Sequence, residues 1–394
     1  MDDADKEEAR ADHRPVSCAA VALALAWLSL ALPGAPASAP VVTLGIGLVL
    51  SAAFERWHQH WFNARAISLV AFAMVWIVAM LAADAPALSA SRSAAWLAGA
   101  IVLLLCQVRF RSADFLLIGT GLYAAGLLSA AAVLLHSRGA DPAQTVIDQL
   151  DSILLVVPND IAIAALLVPL IMLTPLSQRA RWWALGLGQL MVLLAAIALH
   201  SRLGILTILI TTASAIMQRR PGLAVGWLGV IGIGIGLALA LREQWAAWIG
   251  SGDSIAVRWT LWQSAWGMFV DQPWFGIGPQ LFGEQLAAYL VAPLADTRAM
   301  PWPHNLWLET LLGLGIVGGV VFVGVLLLHV KALISLNRRF AVPLIVSGTG
   351  WICLATFEAS WLRFGVVMHF TTWCALLGAA YSVTRGADDE IEFW

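Results

Sequence analysis

The chain has 394 residues, of which 60% are hydrophobic and only 12% are charged, and its formal net charge is −2. Soluble domains carry about a quarter of charged residues. A chain of this length with so little charge and a mean hydropathy of +0.83 is therefore not a water-soluble protein. The near-neutral net charge provides no bulk attraction to nucleic acid. The composition predicts an integral membrane protein that does not bind nucleic acid.

The first fifteen residues form a polar, mostly acidic stretch, and an apolar run from Val16 to Leu32 follows them. A secretory signal peptide begins with net positive charge, which residues 1–15 lack. We therefore expect residues 1–15 to be a tail outside the membrane and residues 16–32 to be a retained first membrane helix.

Apolar segments recur along the whole chain, and a helix needs roughly twenty such residues to cross a bilayer. The second and eighth segments are short, so we expect them to be tilted, kinked or re-entrant. The sequence therefore predicts a single all-α polytopic membrane domain over residues 1–394. Its predicted transmembrane helices, about twelve in number, lie at 16–32, 41–54, 66–83, 94–108, 114–135, 152–173, 182–200, 203–217, 222–241, 304–330, 341–357 and 363–384.

Basic residues predict the orientation of these spans, because loops that stay in the cytoplasm carry an excess of Lys and Arg. Of the 22 Lys and Arg residues, 15 fall in alternate loops that share one side with both termini. We therefore expect both termini, including the tail 1–15, to be cytoplasmic. The 15 residues are Lys6, Arg10, Arg14, Arg56, Arg65, Arg109, Arg111, Arg179, Arg181, Arg219, Arg220, Lys331, Arg338, Arg339 and Arg385.

The remaining seven basic residues are all arginines on the opposite side, where membrane insertion does not favour them. A planar guanidinium suits bidentate binding of phosphate, so this set indicates an anionic ligand on that side. The alternative is that short loops simply tolerate single arginines. The seven are Arg92, Arg138, Arg202, Arg242, Arg258, Arg298 and Arg363.

One loop on the outer side, residues 242–303, is about sixty residues long. From Arg258 to Phe269 apolar residues, several of them tryptophans, recur at helical spacing. A turn-forming stretch from Asp271 to Pro279 follows. The sequence therefore predicts a large, partly helical loop outside the cytoplasm.

This loop leads into a long apolar helix that starts near Pro303-His304-Asn305. Backbone N–H groups in the first turn of a helix carry partial positive charge, which favours a neutral imidazole that can accept a proton. Asn305 can cap the helix or bind a substrate by hydrogen bonds. The alternative is a capped helix start whose histidine only lies at the membrane interface.

Glu309 lies in the same helix, about 7 Å beyond His304 along its axis. A carboxylate at that depth is costly and needs a partner, for which an outer arginine is expected. Gly313, Gly315 and Gly318 are expected to allow close packing of another helix. Other polar groups that reach the same side are Asn159-Asp160, His200-Ser201-Arg202, and Glu358 near Arg363.

Three groups of residues, in order along the chain, resemble motifs of the O-antigen ligase and O-antigen polymerase superfamily of membrane glycosyltransferases. They are Ser201-Arg202-Leu203-Gly204; then Arg258 and Trp262 with Pro273, Phe275, Gly276, Gly278 and Pro279; then His304-Asn305 with Leu308, Glu309, Gly315 and Gly318. Pro158-Asn159-Asp160 also resembles the ligase pattern. The resemblance covers residues 158 to about 325.

The resemblance implies a glycosyltransferase C type fold in the inner membrane of a Gram-negative bacterium, with the active site facing the periplasm. The donor would be O-antigen on undecaprenyl diphosphate, and the acceptor would be lipid A-core. Neither a cofactor nor a metal ion would take part. The sequence agrees on the metal, because the outer face has no Asp-x-Asp motif or His cluster for a divalent ion.

For such a transfer, His304 is expected to be the general base that activates the acceptor hydroxyl. Arg202 and Arg258 are expected to bind the diphosphate and stabilise its growing charge. Asn305 and Glu309 would orient the histidine. Arg138, Arg298 and Arg363 are second-choice contacts for the diphosphate or for a phosphate of the core. The other supporting residues are Ser201, Asn159 and Asp160.

Other activities remain open. Polymerases of the superfamily tend to have two sizeable outer loops, and its O-linking oligosaccharyltransferases tend to have an added C-terminal segment. Here one loop is large, and the chain ends soon after its last span. A transporter of polyprenyl-linked glycans, a different class, should show inverted repeats and charges near the membrane midplane, whereas the charges here lie at the outer ends of the spans.

Reporter fusions test the predicted topology. Fusions after Arg111, Arg220 and Arg339 should report a cytoplasmic location, because these arginines belong to the basic loops. A fusion within residues 242–303 should report the opposite side. A cytoplasmic signal from the long loop would overturn the assignment of the site to the outer face.

Overall fold

The structure, a computed structural model, describes residues 16–32, 38–54, 64–93, 95–105, 112–137, 158–219, 253–290 and 302–391. Every regular element in these ranges is a helix, and none is a strand. The α-helices are α1 (Cys18–Ala31), α2 (Ala39–Phe54), α3 (Ala64–Ala82), α4 (Pro86–Arg92), α5 (Ala95–Leu105), α6 (Ser112–His136), α7 (Ile161–Leu167), α8 (Gln178–Ala198), α9 (Arg202–Arg219), α10 (Asp253–Asp271), α11 (Phe282–Tyr289), α12 (Leu306–Ile334), α13 (Arg338–Phe357) and α14 (Phe364–Ile391).

The protein is an all-α membrane protein, as its composition predicts. Among the described helices, α8, α12, α13 and most of α6 are long and apolar enough to cross a bilayer. Shorter apolar helices coincide with six more of the predicted spans, and α5 coincides with a further one. The predicted span 222–241 and the tail 1–15 lie outside the described residues. The total of twelve spans and the single-domain organisation stay predictions.

The predicted span 152–173 is not one continuous helix. Its described part runs through a 3₁₀ turn (Pro158–Asp160), then α7, then a second 3₁₀ segment (Val168–Leu173). Pro169 lacks a backbone N–H and so interrupts the α-helical pattern. All residues from 160 to 173 are buried, because this segment packs among α6, α8, α9 and α13. Asn159 and Asp160 are therefore held at the end of a segment that other helices surround.

α12 is interrupted at Gly315, whose φ of 66° and ψ of −167° are not helical. The segment that follows α10 crosses the helix at this point. The Ile316 N–H donates to the Pro273 carbonyl (2.7 Å), and the Ile277 N–H donates to the Leu312 carbonyl (2.8 Å). A broken membrane helix is tolerated only where its freed backbone groups find partners. The crossing segment thus stabilises a break that the hydropathy pattern does not reveal.

Glycines at this crossing allow a loop, and not a second helix, to approach α12. A Cβ atom on Gly315 would lie 2.2 Å from the Trp274 carbonyl oxygen, and one on Gly276 would lie 2.3 Å from the Leu312 oxygen. Both glycines have a positive φ, 66° and 69°, which favours glycine. The expected close packing at Gly315 is therefore present, but its partner is the loop after α10.

Helices α10 and α11 form a small unit with its own apolar core, to which Leu312 of α12 contributes. Contacts with α4 fix the same unit from another side. The Ser89 hydroxyl donates to the Pro279 carbonyl (2.7 Å), and Arg92 forms an ion pair with Glu284. The buried Ser89 contact holds the unit against α4, whereas the more exposed Arg92–Glu284 ion pair contributes little.

A Gly315→Ala variant tests the break in α12. An alanine would have to keep φ 66° and ψ −167°, a region almost exclusive to glycine that costs about 1–3 kcal/mol. Its methyl group would also overlap the Trp274 carbonyl, so thermal stability in detergent should fall. Gly324→Ala in the same helix is the matched control, because no atom lies within 4 Å of a Cβ built there and alanine favours helix. Equal melting temperatures for the two variants would contradict the break.

Candidate active site

Glu358, in the turn between α13 and α14, is the centre of a polar cluster. Its side chain is only 3% exposed. Oε1 lies 2.9 Å from Nδ1 of His304. Oε2 accepts hydrogen bonds from Nη2 of Arg258 (2.8 Å) and Nδ2 of Asn159 (3.0 Å). One carboxylate therefore brings together three residues that are far apart in the sequence.

His304 lies just before the N-cap of α12 and not in the first turn, where the sequence suggested it. Asn305 is the N-cap: its Oδ1 accepts from the Leu308 N–H (3.0 Å), and its amide donates to the Thr356 carbonyl (3.1 Å). His304 itself has a left-handed backbone, with φ 53°. Such conformations are uncommon outside glycine and cluster at functional sites.

The contact with Glu358 determines how the His304 imidazole can act. A carboxylate accepts hydrogen bonds, so Nδ1 carries the proton and donates it to Glu358. Nε2 is then the basic nitrogen. The His304 side chain is 19% exposed, and the Trp302 ring lies against it with 5.6 Å between ring centres. The contact at Nδ1 thus fixes the orientation of the imidazole, while the side chain stays partly accessible from outside the cluster.

Arg363 and Asp160 contribute the remaining buried charges of the cluster. The Arg363 guanidinium forms an ion pair with Asp160, and its Nη1 lies 3.6 Å from Oε1 of Glu358. Arg363 is only 5% exposed, and the two nearby carboxylates favour its charged form. Arg363 and Arg258 together balance Asp160 and Glu358, which is the condition for keeping such charges buried.

Ser201 joins the cluster through Asn159. Its hydroxyl donates to Oδ1 of Asn159 (2.9 Å) and accepts from the Gly204 N–H (3.0 Å), so it also caps α9. Arg202 is the first residue of α9 and is exposed. The sequence-predicted Ser-Arg pair is therefore divided: the serine is inside the cluster, and the arginine is at its edge.

Glu309 was expected to pair with an arginine and to orient His304, but its contacts are different. Its carboxylate accepts hydrogen bonds from the Ser360 hydroxyl (3.0 Å) and from the Trp361 N–H (3.2 Å). No arginine among the described residues forms an ion pair with it. The carboxylate beside the histidine is that of Glu358.

The sequence analysis placed Glu358 only near Arg363 and expected Arg363 only as a second-choice phosphate contact, whereas in the structure both belong to the buried cluster. The signal that points to them is a pair of charges in a short turn between two apolar spans, where ionisable groups are costly and usually functional. Which acid meets His304 depends on how α12, α13 and α14 pack. Arg138, a predicted supporting residue, lies outside the described residues.

The same part of the chain matches a known family. Residues 152–323 match the family model described as O-Antigen ligase. This part of the chain is therefore similar to the O-antigen ligase and polymerase superfamily. No curated protein matches the chain. The matched residues include Asn159, Ser201, Arg258 and His304, whereas Glu358 lies beyond them.

An apolar groove follows α12 from Trp307 to Val323. Its volume is about 390 Å³. Trp307, which lies near the start of α12 just after His304 and Asn305, is the groove residue closest to the cluster in sequence. Members of the O-antigen ligase superfamily act on lipid-linked glycans, and an apolar groove suits a lipid chain. The other lining residues are Thr310, Leu311, Ile316, Gly319, Val320, Phe322 and Val323.

The acidic residues of the cluster are paired with arginines. Asp160 contacts Arg363, and Glu358 contacts both Arg258 and Arg363. Among the described residues, no group of three or more His, Cys, Asp and Glu side chains is arranged to hold a metal ion. The metal independence expected from the sequence stays a prediction.

Removing Arg363 tests whether its charge stabilises the cluster. Arg363→Met would take the cationic partner from two buried carboxylates, which typically costs about 3–5 kcal/mol, so the melting temperature in detergent should fall strongly. Arg338→Met is the matched control, because Arg338 is exposed and donates a hydrogen bond to the Gln218 carbonyl at the surface, where such contacts contribute little. A similar shift in both variants would show that Arg363 is not a buried charge partner.

Proposed function

We propose that this protein is an O-antigen ligase of the Gram-negative inner membrane, with both termini in the cytoplasm and the cluster facing the periplasm. It transfers O-antigen polysaccharide from undecaprenyl diphosphate to lipid A-core and so completes lipopolysaccharide. The observation that carries the proposal is the set of contacts at Glu358, which joins a histidine oriented as a base to an arginine suited to phosphate. The twelve-span architecture, the glycosyltransferase C type fold and the placement of residues 242–303 in the periplasm belong to the same proposal.

The proposed chemistry is a direct displacement at the anomeric carbon of the donor. A hydroxyl of the acceptor sugar attacks this carbon, and its proton passes to Nε2 of His304 as the new C–O bond forms. The bond from the anomeric carbon to the diphosphate oxygen breaks, and undecaprenyl diphosphate leaves with the bonding electrons. Attack from the side opposite the leaving group inverts the anomeric configuration.

Arginines would hold the diphosphate and stabilise the charge that grows on it. Arg258 is 25% exposed while one of its nitrogens contacts Glu358, so the carboxylate orients the guanidinium toward the open side of the cluster. Arg202 is exposed at the start of α9, beside Ser201. Arg138 is a second-choice phosphate contact. No cofactor is proposed.

The apolar groove along α12 supports a lipid-linked donor. It runs from Trp307 toward Val323, away from the polar cluster and along a helix that is apolar enough to cross the membrane. A polyprenyl chain lying there would place its diphosphate end next to His304 and Arg258. The saccharide would then extend away from the membrane, where an acceptor can reach it.

O-antigen polymerase and O-linking oligosaccharyltransferase are the alternatives within the superfamily, since they use the same donor chemistry with a different acceptor. A transporter of polyprenyl-linked glycans is the alternative of another class. Transporters keep their binding residues near the membrane midplane, whereas Glu358 and Arg363 lie in a turn between two helices. This position favours an enzyme that works at the membrane surface.

Purified protein in detergent or liposomes, mixed with undecaprenyl diphosphate-linked O-antigen and rough lipopolysaccharide, should form smooth lipopolysaccharide. Addition of a chelator should leave the reaction intact, because arginines and no metal ion are proposed to bind the diphosphate. Gel mobility of the product measures transfer. Lengthening of the lipid-linked glycan without any transfer to lipid A-core would identify a polymerase. Activity that returns only with added magnesium or manganese would contradict the proposed binding of the diphosphate by Arg202 and Arg258.

Variants separate the proposed roles within the site. His304→Ala should lower turnover by about a hundred- to ten-thousand-fold. Glu358→Gln should lower it similarly, because the amide oxygen would take the place of Oε2, and the amide N–H would then donate to Nδ1 of His304 and move the imidazole proton to Nε2. Arg202→Lys and Arg258→Lys should weaken both turnover and donor binding, because lysine keeps the charge but lacks the planar fork.

Two comparisons control these variants. Glu284→Gln removes an exposed carboxylate of an ion pair outside the cluster and should leave transfer unchanged. Binding of radiolabelled donor should survive His304→Ala, since the histidine is proposed to act on the acceptor. Near-normal transfer by His304→Ala would mean that the histidine is only a helix-start residue.

A further inference from the structure

The short turn Glu358–Arg363 carries two of the buried charges of the site. The Glu309 side chain of α12 contacts the middle of this turn. Both carboxylate oxygens of Glu309 are used: Oε1 accepts from the Ser360 hydroxyl (3.0 Å), and Oε2 accepts from the Trp361 N–H (3.2 Å). The Ser360 oxygen in turn accepts from the Leu362 N–H (3.1 Å). A single side chain thus fixes the middle of the turn.

A carboxylate is an expensive group to bury for this purpose. Glu309 is 3% exposed, lies in a helix that can cross the membrane, and forms no ion pair with an arginine or lysine among the described residues. Uncharged acceptors would cost less to desolvate. What its carboxyl group offers is two oxygen atoms side by side, which meet the Ser360 hydroxyl and the Trp361 N–H of the turn.

Contacts of Trp361 fasten the same turn to other parts of the site. Its indole N–H donates to the Thr310 hydroxyl (3.0 Å), and its carbonyl accepts from the Gln280 amide (2.9 Å). Its ring is buried among Phe72, Trp96 and other aromatic side chains. The turn is therefore held by α12, which follows His304 directly, and by the segment after α10, the helix that carries Arg258.

We propose that Glu309 is a positioning residue that holds the turn Glu358–Arg363 opposite His304, so that the start of α12 fixes both members of the histidine–carboxylate pair. His304 and Glu309 belong to the same helix start, and they meet the turn at Glu358 and Ser360. This inference rests on the proposed function for its catalytic consequence. It assigns Glu309 neither to the proton transfer nor to donor binding.

Substitutions at Glu309 should lower turnover to an extent that depends on how many hydrogen-bond acceptors the new side chain keeps. Glu309→Gln keeps the length of the side chain but has only one acceptor oxygen, so one of the two hydrogen bonds to the turn is lost or reversed. We expect its turnover to fall by about ten- to a hundred-fold. Ser360→Ala removes one donor and leaves Glu309 in place, and it should cause a smaller loss in the same direction.

A double-mutant cycle distinguishes this role from an independent one. If Glu309 acts only by positioning Glu358, then Glu309→Gln should change turnover by no more than about twofold when Glu358→Gln is already present. Additive losses would overturn the proposal, because they would mean that Glu309 contributes to the reaction without Glu358. Ser360→Ala in the same cycle provides the second test should Glu309→Gln fail to fold.

A measurement that needs no transfer separates this proposal from the proposed function. Diethylpyrocarbonate modifies neutral imidazoles, and peptide mass spectrometry reports the rate at His304 alone. The rate in Glu309→Gln should move from the wild-type value toward the value in Glu358→Gln. A rate equal to that of the wild type would overturn the positioning role. The shifted rate in a protein that shows no transfer would instead retain the positioning role and reject the ligase assignment.

Discussion

A carboxylate that is almost fully buried stays charged only when several donors surround it, and this constraint organises the site around Glu358. Its donors are His304 just before α12, Arg258 on α10 and Asn159 in the 3₁₀ turn before α7. Arg363 in its own turn is a nearby cation, 3.6 Å away. None of these segments can satisfy Glu358 alone. The cluster therefore forms only when the helices that carry it are packed, and its geometry reports on the packing of the whole fold.

The balance of charges in the cluster also limits how an anionic donor can be bound. Asp160 and Glu358 offset Arg258 and Arg363, so the buried groups have no net charge while His304 is neutral. The proposed diphosphate would then be bound mainly by hydrogen bonds from individual, correctly oriented guanidinium groups, and less by a net positive charge of the site. This explains why the charge of the arginine and its planar shape are both expected to matter.

Local chemistry allowed much of the fold and part of the site to be predicted. Hydropathy marked the helices, because each must be apolar to lie in lipid, and the residues around His304 and Arg258 stood out as polar groups beside apolar helices. The break at Gly315 was missed because it depends on carbonyl groups from a distant loop. The sequence analysis expected Glu309 and not Glu358 beside the histidine for a similar reason. Both are acids near the same helix ends, and only the path of the turn Glu358–Arg363 decides which one meets the histidine.

The break in α12 has a consequence for exchanging parts between relatives. Beyond it, residues 316–334 extend roughly 28 Å as a helix, which is close to the thickness of the hydrocarbon layer. The first backbone amide of that stretch, on Ile316, is bonded to Pro273, which belongs to a loop and not to the helix. A chimera that replaces the whole loop after α10 would thus also remove a hydrogen bond from a membrane helix. Such exchanges should keep residues 272–277 together with α12, and change the loop on either side of them.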